Sequence, residues 1–157
     1  MHEFLQRDLD YVIRGEEVLW GCLLMAVTLS VQGIGMFYVM RASGALLART
    51  QKLRVQFDMT ILILMAWMIV VVHLLEVVVW AGFFTWKGAQ PNIFSALYNA
   101  LVNYTTLGAG YLPLDWRLLE GMLGMAGLLS FAWSTSVLIA LAQQLMQRAL
   151  ARRQAEH

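Results

Sequence analysis

The residues best suited to chemistry form a short polar run, from Asn103 to Pro113, between two long apolar segments. In this run a threonine pair, Thr105 and Thr106, precedes two glycines at alternating positions, Gly108 and Gly110. Glycine adopts backbone conformations that other residues avoid, so this spacing suits a backbone whose carbonyls all point one way. Carbonyl oxygens arranged in this manner can replace the hydration shell of a cation. Because non-helical backbone at membrane depth must be buried in protein or line a water-filled path, the run predicts a cation-coordinating loop.

The composition indicates that membrane helices position this loop. Of the 157 residues, 60% are hydrophobic and 13% are charged, and the mean hydropathy is +0.64. A soluble domain usually carries about 25% charged residues.

The net charge of +1 gives no reason to expect nucleic acid as a partner. The single cysteine, Cys22, excludes an internal disulfide and a cysteine metal cluster. No hydrolase, kinase or dinucleotide motif is present, so we expect no enzyme, no catalytic residue and no small-molecule substrate.

Three apolar segments are long enough to cross a hydrocarbon core, which needs about 20 residues: Val18–Met40, Met59–Phe84 and Leu118–Leu145. Between the last two, residues 92–105 predict a helix that is too short to span. Asn92 is a plausible N-cap, and apolar residues at helical spacing follow it: Phe94, Leu97, Tyr98, Leu101 and Val102. The sequence therefore predicts an all-α membrane protein with three transmembrane helices and one short helix before the loop.

The motif Thr105-Thr106-Leu107-Gly108-x-Gly110 resembles the Thr-Thr-Val/Leu-Gly-Tyr-Gly-Asp signature of potassium channels. The short helix before it and the apolar helix with Ser-Thr after it match too, and segments 73–81 and 116–119 are similar to small bacterial pore-loop channels. This resemblance covers about residues 59–145. It implies a homotetramer, with one pore loop from each chain around a shared axis. The implied function is passive permeation of monovalent cations such as potassium, with no other cofactor or metal.

The resemblance also implies a selectivity filter made of Thr105, Thr106, Leu107, Gly108, Ala109, Gly110 and Tyr111. Two of these positions depart from the family pattern: Ala109 stands where the family has tyrosine, and Tyr111 stands where it has aspartate. In the family, those two side chains hold the filter to its width. Three outcomes stay open: a selective filter supported by other groups, a wider cation path, or a filter that does not conduct. In the last case the chain would be an accessory pore-loop protein.

Several polar side chains inside the apolar segments are further candidates. Glu76 is an ionisable group within a span, and such groups are usually functional. We expect it to brace the filter from behind, together with Tyr104 and with His73, which lies three residues before Glu76. A proton or other-cation path through Glu76 and His73 is the alternative. Three hydroxyl residues of the last span either line the cavity below the filter or bond back to helix carbonyls: Ser130, Ser134 and Thr135.

These expectations divide the chain into four segments. Residues 1–16 form an amphipathic segment that either lies on the membrane surface or caps the first span, and residues 17–57 hold that span and a basic loop. Residues 58–146 form the pore domain, and residues 147–157 form a basic tail. The basic loop and the tail hold seven of the eleven Lys and Arg residues. Basic loops stay cytoplasmic, so we expect a multi-pass protein of the inner (plasma) membrane, surrounded by lipid, with its N-terminus outside and its C-terminus in the cytoplasm.

Overall fold

The computed structural model describes residues 14–50, 55–108 and 110–155, and every regular element in these ranges is helical. There are four α-helices, numbered here in chain order: α1 Gly15–Arg49, α2 Val55–Trp86, α3 Ile93–Tyr104 and α4 Leu118–Ala155. A single 3-10 turn, Leu114–Trp116, precedes α4. Most of the predicted amphipathic segment (residues 1–13), part of the basic loop (residues 51–54) and Ala109 lie outside the described residues.

Three helices, α1, α2 and α4, are long and apolar enough to cross a membrane, which confirms the three predicted spans. They contain 35, 32 and 38 residues, whereas a hydrocarbon core of about 30 Å needs about 20. Each helix therefore extends beyond its apolar run. The basic segments predicted as a loop and a tail are largely helical, since α1 continues to Arg49 and α4 to Ala155. No proline interrupts either segment, and a helix that has begun adds residues at little cost.

The chain divides into two compact units. Within the described residues, the first unit contains 14–29 and 77–128, so it holds α3, the loop and the adjoining parts of the long helices. The largest of its fully buried side chains are Trp80, Phe84, Tyr104, Leu119 and Leu123. The second unit contains residues 30–76 and 129–155 where they are described. A separate apolar cluster forms its core: Met36, Val39, Met65, Ile69 and Leu141.

Helix α3 begins where the sequence predicts. The side-chain oxygen of Asn92 accepts a hydrogen bond of 2.9 Å from the backbone N–H of Ser95, so Asn92 is its N-cap. With 12 residues and a rise of about 1.5 Å per residue, α3 is roughly 18 Å long. It is too short to cross the hydrocarbon core.

The face of α3 that packs inside the first unit differs from the predicted apolar stripe. Small and polar residues form the buried face: Ala96, Asn99, Ala100, Asn103 and Tyr104. By contrast, Phe94 is 79% exposed and Tyr98 is 61% exposed. Small residues allow helix backbones to approach closely, and in a membrane an apolar side chain gains little by leaving lipid for protein. Apolar periodicity therefore marked the outward face of this helix.

Two glycines of α4 make room for the end of α3. A Cβ atom built on Gly127 would overlap the backbone carbonyl oxygen of Tyr104 and would lie 3.0 Å from its carbonyl carbon. One built on Gly124 would lie 3.4 Å from the carbonyl oxygen of Asn103. The last turn of α3 is thus in direct contact with the backbone of α4, and Gly127 is a close-packing position.

Candidate functional site

The loop that follows α3 has an alternating backbone conformation. Thr106, Gly108 and Gly110 have φ angles of 64°, 71° and 63°, all in the left-handed region, whereas Leu107 between the first two does not. A threonine there is uncommon, because L-residues with a side chain disfavour positive φ. From Thr106 to Gly108 the sign of φ therefore alternates, and such alternation can turn successive peptide groups the same way, with N–H groups on one side and carbonyl groups on the other. The backbone can therefore present a row of carbonyl oxygens.

The N-terminal end of the loop continues directly from the last turn of α3. The N–H of Thr106 donates to the carbonyl of Asn103 over 2.9 Å, and the N–H of Leu107 donates to the carbonyl of Val102 over 3.1 Å. The hydroxyl of Thr105 also donates to carbonyls of this turn. The C-terminus of a helix carries a partial negative charge. The loop therefore begins at a point where a cation is favoured.

The C-terminal end of the loop is held by side chains that the sequence analysis did not identify. Gln90 donates from Nε2 to the carbonyl of Tyr111 over 3.2 Å. The Oε1 of Glu120 accepts from the N–H of Leu112 at 2.9 Å and from Nδ2 of Asn99 at 3.5 Å. Glu120 thus connects the loop, α3 and α4. The available signal was an acidic residue at the start of an apolar span, where it is costly unless it has partners.

Most predicted filter residues are exposed on the isolated chain, whereas Tyr104, which was predicted to support the filter, is buried. Leu107 is 78% exposed and Tyr111 is 63% exposed, whereas Tyr104 is 1% exposed and packs in the core of the first unit. Thr105, Thr106, Gly108 and Gly110 are exposed as well. A cavity of about 470 Å³ beside the loop is lined by Gln90, Phe94, Ser95, Tyr98, Asn99 and Tyr111.

In the second unit, the predicted pair of Glu76 and His73 belongs to a longer polar chain. His73 Nδ1 lies 3.7 Å from Oε2 of Glu76, whose side chain is fully buried. His73 Nε2 lies 3.0 Å from the hydroxyl oxygen of Ser134, which in turn accepts a bond of 2.8 Å from Nε2 of Gln32. The hydroxyl of Ser134 also donates to Sδ of Met36 at 4.0 Å, so the tautomer of the imidazole sets whether His73 Nε2 donates to Ser134 or accepts from it. The role of Glu76 and His73 as a brace behind the filter stays a prediction.

The hydroxyl residues of α4 divide into two groups. Ser130 is fully buried and Ser134 is 4% exposed, both within the second unit. Both serines are therefore packed inside the single chain, and their pore-lining role stays a prediction. Thr135 is exposed, and its hydroxyl donates to the carbonyl of Phe131 over 2.8 Å. For Thr135, a pore-lining position stays a prediction.

Among the described residues, no group of three or more His, Cys, Asp or Glu side chains is placed to hold a metal ion. No protein-family model, no curated protein and no solved structure matches this chain. The resemblance to potassium channels therefore rests on residues 59–145 of the sequence and stays a prediction.

Proposed function

We propose that four copies of this chain form a membrane channel for monovalent cations, potassium foremost, with residues 105–111 of each copy as the filter. The observation that best supports this proposal is the spacing of left-handed residues at Thr106, Gly108 and Gly110, directly after the C-terminus of a short helix with one buried face. Carbonyl oxygens on one side of such a loop replace water around a cation. The partial negative charge of the helix end attracts the cation to the same place.

The exposed surface of the first unit supports the assembly. The loop is exposed on one chain, and so is the apolar stripe of α3 with Phe94, Tyr98 and Leu101. A single loop cannot surround an ion, whereas a cyclic assembly of identical chains places one loop on each side of an axis. In this proposal the exposed stripe faces lipid or a neighbouring copy.

The two departures from the family motif are offset by other groups. Ala109 and Tyr111 remove the family's tyrosine and aspartate, but Gln90 holds the carbonyl of Tyr111 and Glu120 holds the N–H of Leu112. These anchors fix the outer end of the loop through its backbone. We therefore propose a filter supported by Gln90 and Glu120. The basic residues beyond the spans favour a cytoplasmic C-terminus, and with that orientation the loop enters the membrane from outside.

The test is cation flux through purified protein in liposomes, with reversal potentials in mixed potassium and sodium. Gly108→Ala forces a side chain into a backbone with a φ of 71°, at a cost of about 1–2 kcal/mol per chain. We expect flux to fall strongly. The matched control is Gly82→Ala in α2, where a Cβ would meet nothing within 4 Å, and flux should be kept. A wild-type protein that folds and carries no cation flux would favour the accessory, non-conducting alternative, and equal flux in both variants would refute the role of the loop.

The polar chain of the second unit favours a second candidate, a proton path. The chain of contacts runs from Gln32 through Ser134 and His73 to Glu76, and its successive distances are 2.8, 3.0 and 3.7 Å. In this candidate Ser134→Ala breaks the connection to His73 and abolishes proton uptake into liposomes, measured with a pH-sensitive dye. The control is Ser136→Ala, whose exposed hydroxyl bonds only to the carbonyl of its own helix at Ala132 among the described contacts. Proton uptake that is the same in both variants excludes this path.

A further inference from the structure

The first turns of α1 are attached to the end of the segment that carries α3 and the loop. This segment, residues 87–118, begins directly after α2 and ends at the first residue of α4. Near its end, the N–H of Leu118 donates to Oε1 of Glu17, which is buried. Asp115 also forms an ion pair of 3.2 Å with Arg14, which directly precedes α1. The C-terminal end of the segment is therefore in contact with the start of the first helix.

Lys87 attaches the N-terminal end of the same segment. Its ammonium lies over three tryptophan rings, 4.6, 5.1 and 5.5 Å from the centroids of Trp20, Trp86 and Trp116. The first of these tryptophans belongs to α1, the second ends α2, and the third lies in the 3-10 turn before α4. All of these residues belong to the first unit. One ammonium group therefore joins α1 to both ends of the segment.

The rings, rather than a carboxylate, hold this ammonium. A cation over the face of a tryptophan is attracted by the ring electrons, and the attraction is stronger where water is excluded. The side chain of Lys87 is 22% exposed, whereas that of Glu16, its ion-pair partner at 3.4 Å, is 51% exposed. Ion pairs with an exposed partner contribute little. Phe83 packs against two of the rings, 5.3 Å from Trp20 and 5.7 Å from Trp116 between centroids, so the rings also support one another.

We infer that α1 positions the loop, and that Lys87 is the positioning residue through which it acts. Holding the two ends of a segment together reduces the conformations open to the chain between them. Lys87 also precedes Gln90 by three residues, and Gln90 donates to the carbonyl of Tyr111, so a fixed Lys87 keeps this anchor beside the loop. The effect on ion selection rests on the proposed function, whereas the attachment of the segment does not.

Lys87→Met tests the inference, since methionine keeps an unbranched side chain and removes the charge. We expect the N–H of Leu112, which donates to Glu120 in the loop's C-terminal anchor, to exchange its hydrogen about tenfold faster, which corresponds to about 1.4 kcal/mol. In liposomes, the reversal potential in mixed potassium and sodium should shift toward the sodium equilibrium potential. Lys87→Arg returns a cation to the rings and should restore both values. The matched control is Arg41→Met, the loss of an exposed cation of α1 outside the first unit, and it should change neither.

Two further variants separate the rings from the ion pair. Trp20→Leu removes only the ring that α1 contributes, and it should also speed exchange at Leu112. Glu16→Gln removes the exposed carboxylate and should leave the exchange rate close to that of the wild type. The positioning role is wrong if Lys87→Met exchanges at the wild-type rate, or if Lys87→Arg exchanges as fast as Lys87→Met. An effect of Glu16→Gln as large as that of Lys87→Met would overturn the role of the rings.

Hydrogen exchange requires no conduction, so this inference and the proposed function can fail separately. A folded wild-type protein without cation flux would refute the channel, and the exchange rates of Lys87→Met and Lys87→Arg would still decide whether α1 holds the loop. In a conducting protein, faster exchange of Lys87→Met at an unchanged reversal potential would overturn the link between α1 and ion selection.

Discussion

A series of three alanine substitutions along α4 tests whether the end of α3 rests directly on this helix. The three glycines differ in the space that a side chain would find. A Cβ at Gly121 would meet nothing within 4 Å, and one at Gly124 would lie 3.4 Å from the carbonyl oxygen of Asn103. A Cβ at Gly127 would overlap the carbonyl oxygen of Tyr104, which belongs to backbone and cannot rotate away.

The expected magnitudes follow from this geometry. Each substitution gains the same helix propensity, about 1 kcal/mol, so the differences between variants report the contact with α3. Gly121→Ala should stabilise the protein by about that amount. Gly124→Ala should come close to it, because 3.4 Å is an ordinary van der Waals contact. Overpacking in Gly127→Ala should cost about 1–3 kcal/mol relative to Gly121→Ala.

Thermal unfolding in detergent measures the series, at roughly 2–4 °C per kcal/mol for a chain of this size. The same variants are then tested for cation flux, because the carbonyl of Tyr104 lies one residue before the loop. Gly127→Ala should unfold at the lowest temperature of the three and should reduce flux, whereas Gly121→Ala should do neither. If Gly127→Ala and Gly121→Ala unfold at the same temperature, the close contact between α3 and α4 does not exist.

Two other predictions concern buried polar contacts of the first unit. Trp80 is fully buried and donates from Nε1 to the hydroxyl of Thr28 over 2.8 Å. Trp80→Phe should therefore lower the free energy of unfolding by about 1–3 kcal/mol. The control is Trp67→Phe, at a residue that is 66% exposed, and it should change the free energy of unfolding by less than about 0.5 kcal/mol. Glu17 is 1% exposed and accepts from the first N–H of α4, so Glu17→Ala should cost about 1–3 kcal/mol. The neighbouring Glu16→Ala removes only an exposed pair with a lysine and should cost about 1 kcal/mol or less. Thermal unfolding of each pair checks both, and equal shifts within a pair would contradict the assigned contact.

The sequence alone determined the helical elements of this protein. Three apolar runs gave three membrane-length helices, and Asn92 marked the start of α3 through a bond to a residue three positions away. The positive φ angles at Gly108 and Gly110 also agree with the alternating glycines. These features are local: helix length, capping and backbone freedom depend on residues within a turn of one another. These local features can therefore be predicted from the sequence alone.

Only the tertiary structure decided which face of each helix points inward and which side chains hold the loop. Glu120 meets Leu112 and Asn99, and Gly127 meets Tyr104, across more than one element. The spacing of residues along the sequence does not predict contacts between residues of different elements. Burial of apolar groups does not select the inner face in a membrane either, since lipid is as apolar as leucine, and close packing of small residues and hydrogen bonds between helices decide it instead. For this reason Phe94 is exposed, and the chain buries alanines, asparagines and serines that hydropathy would not predict to be inside.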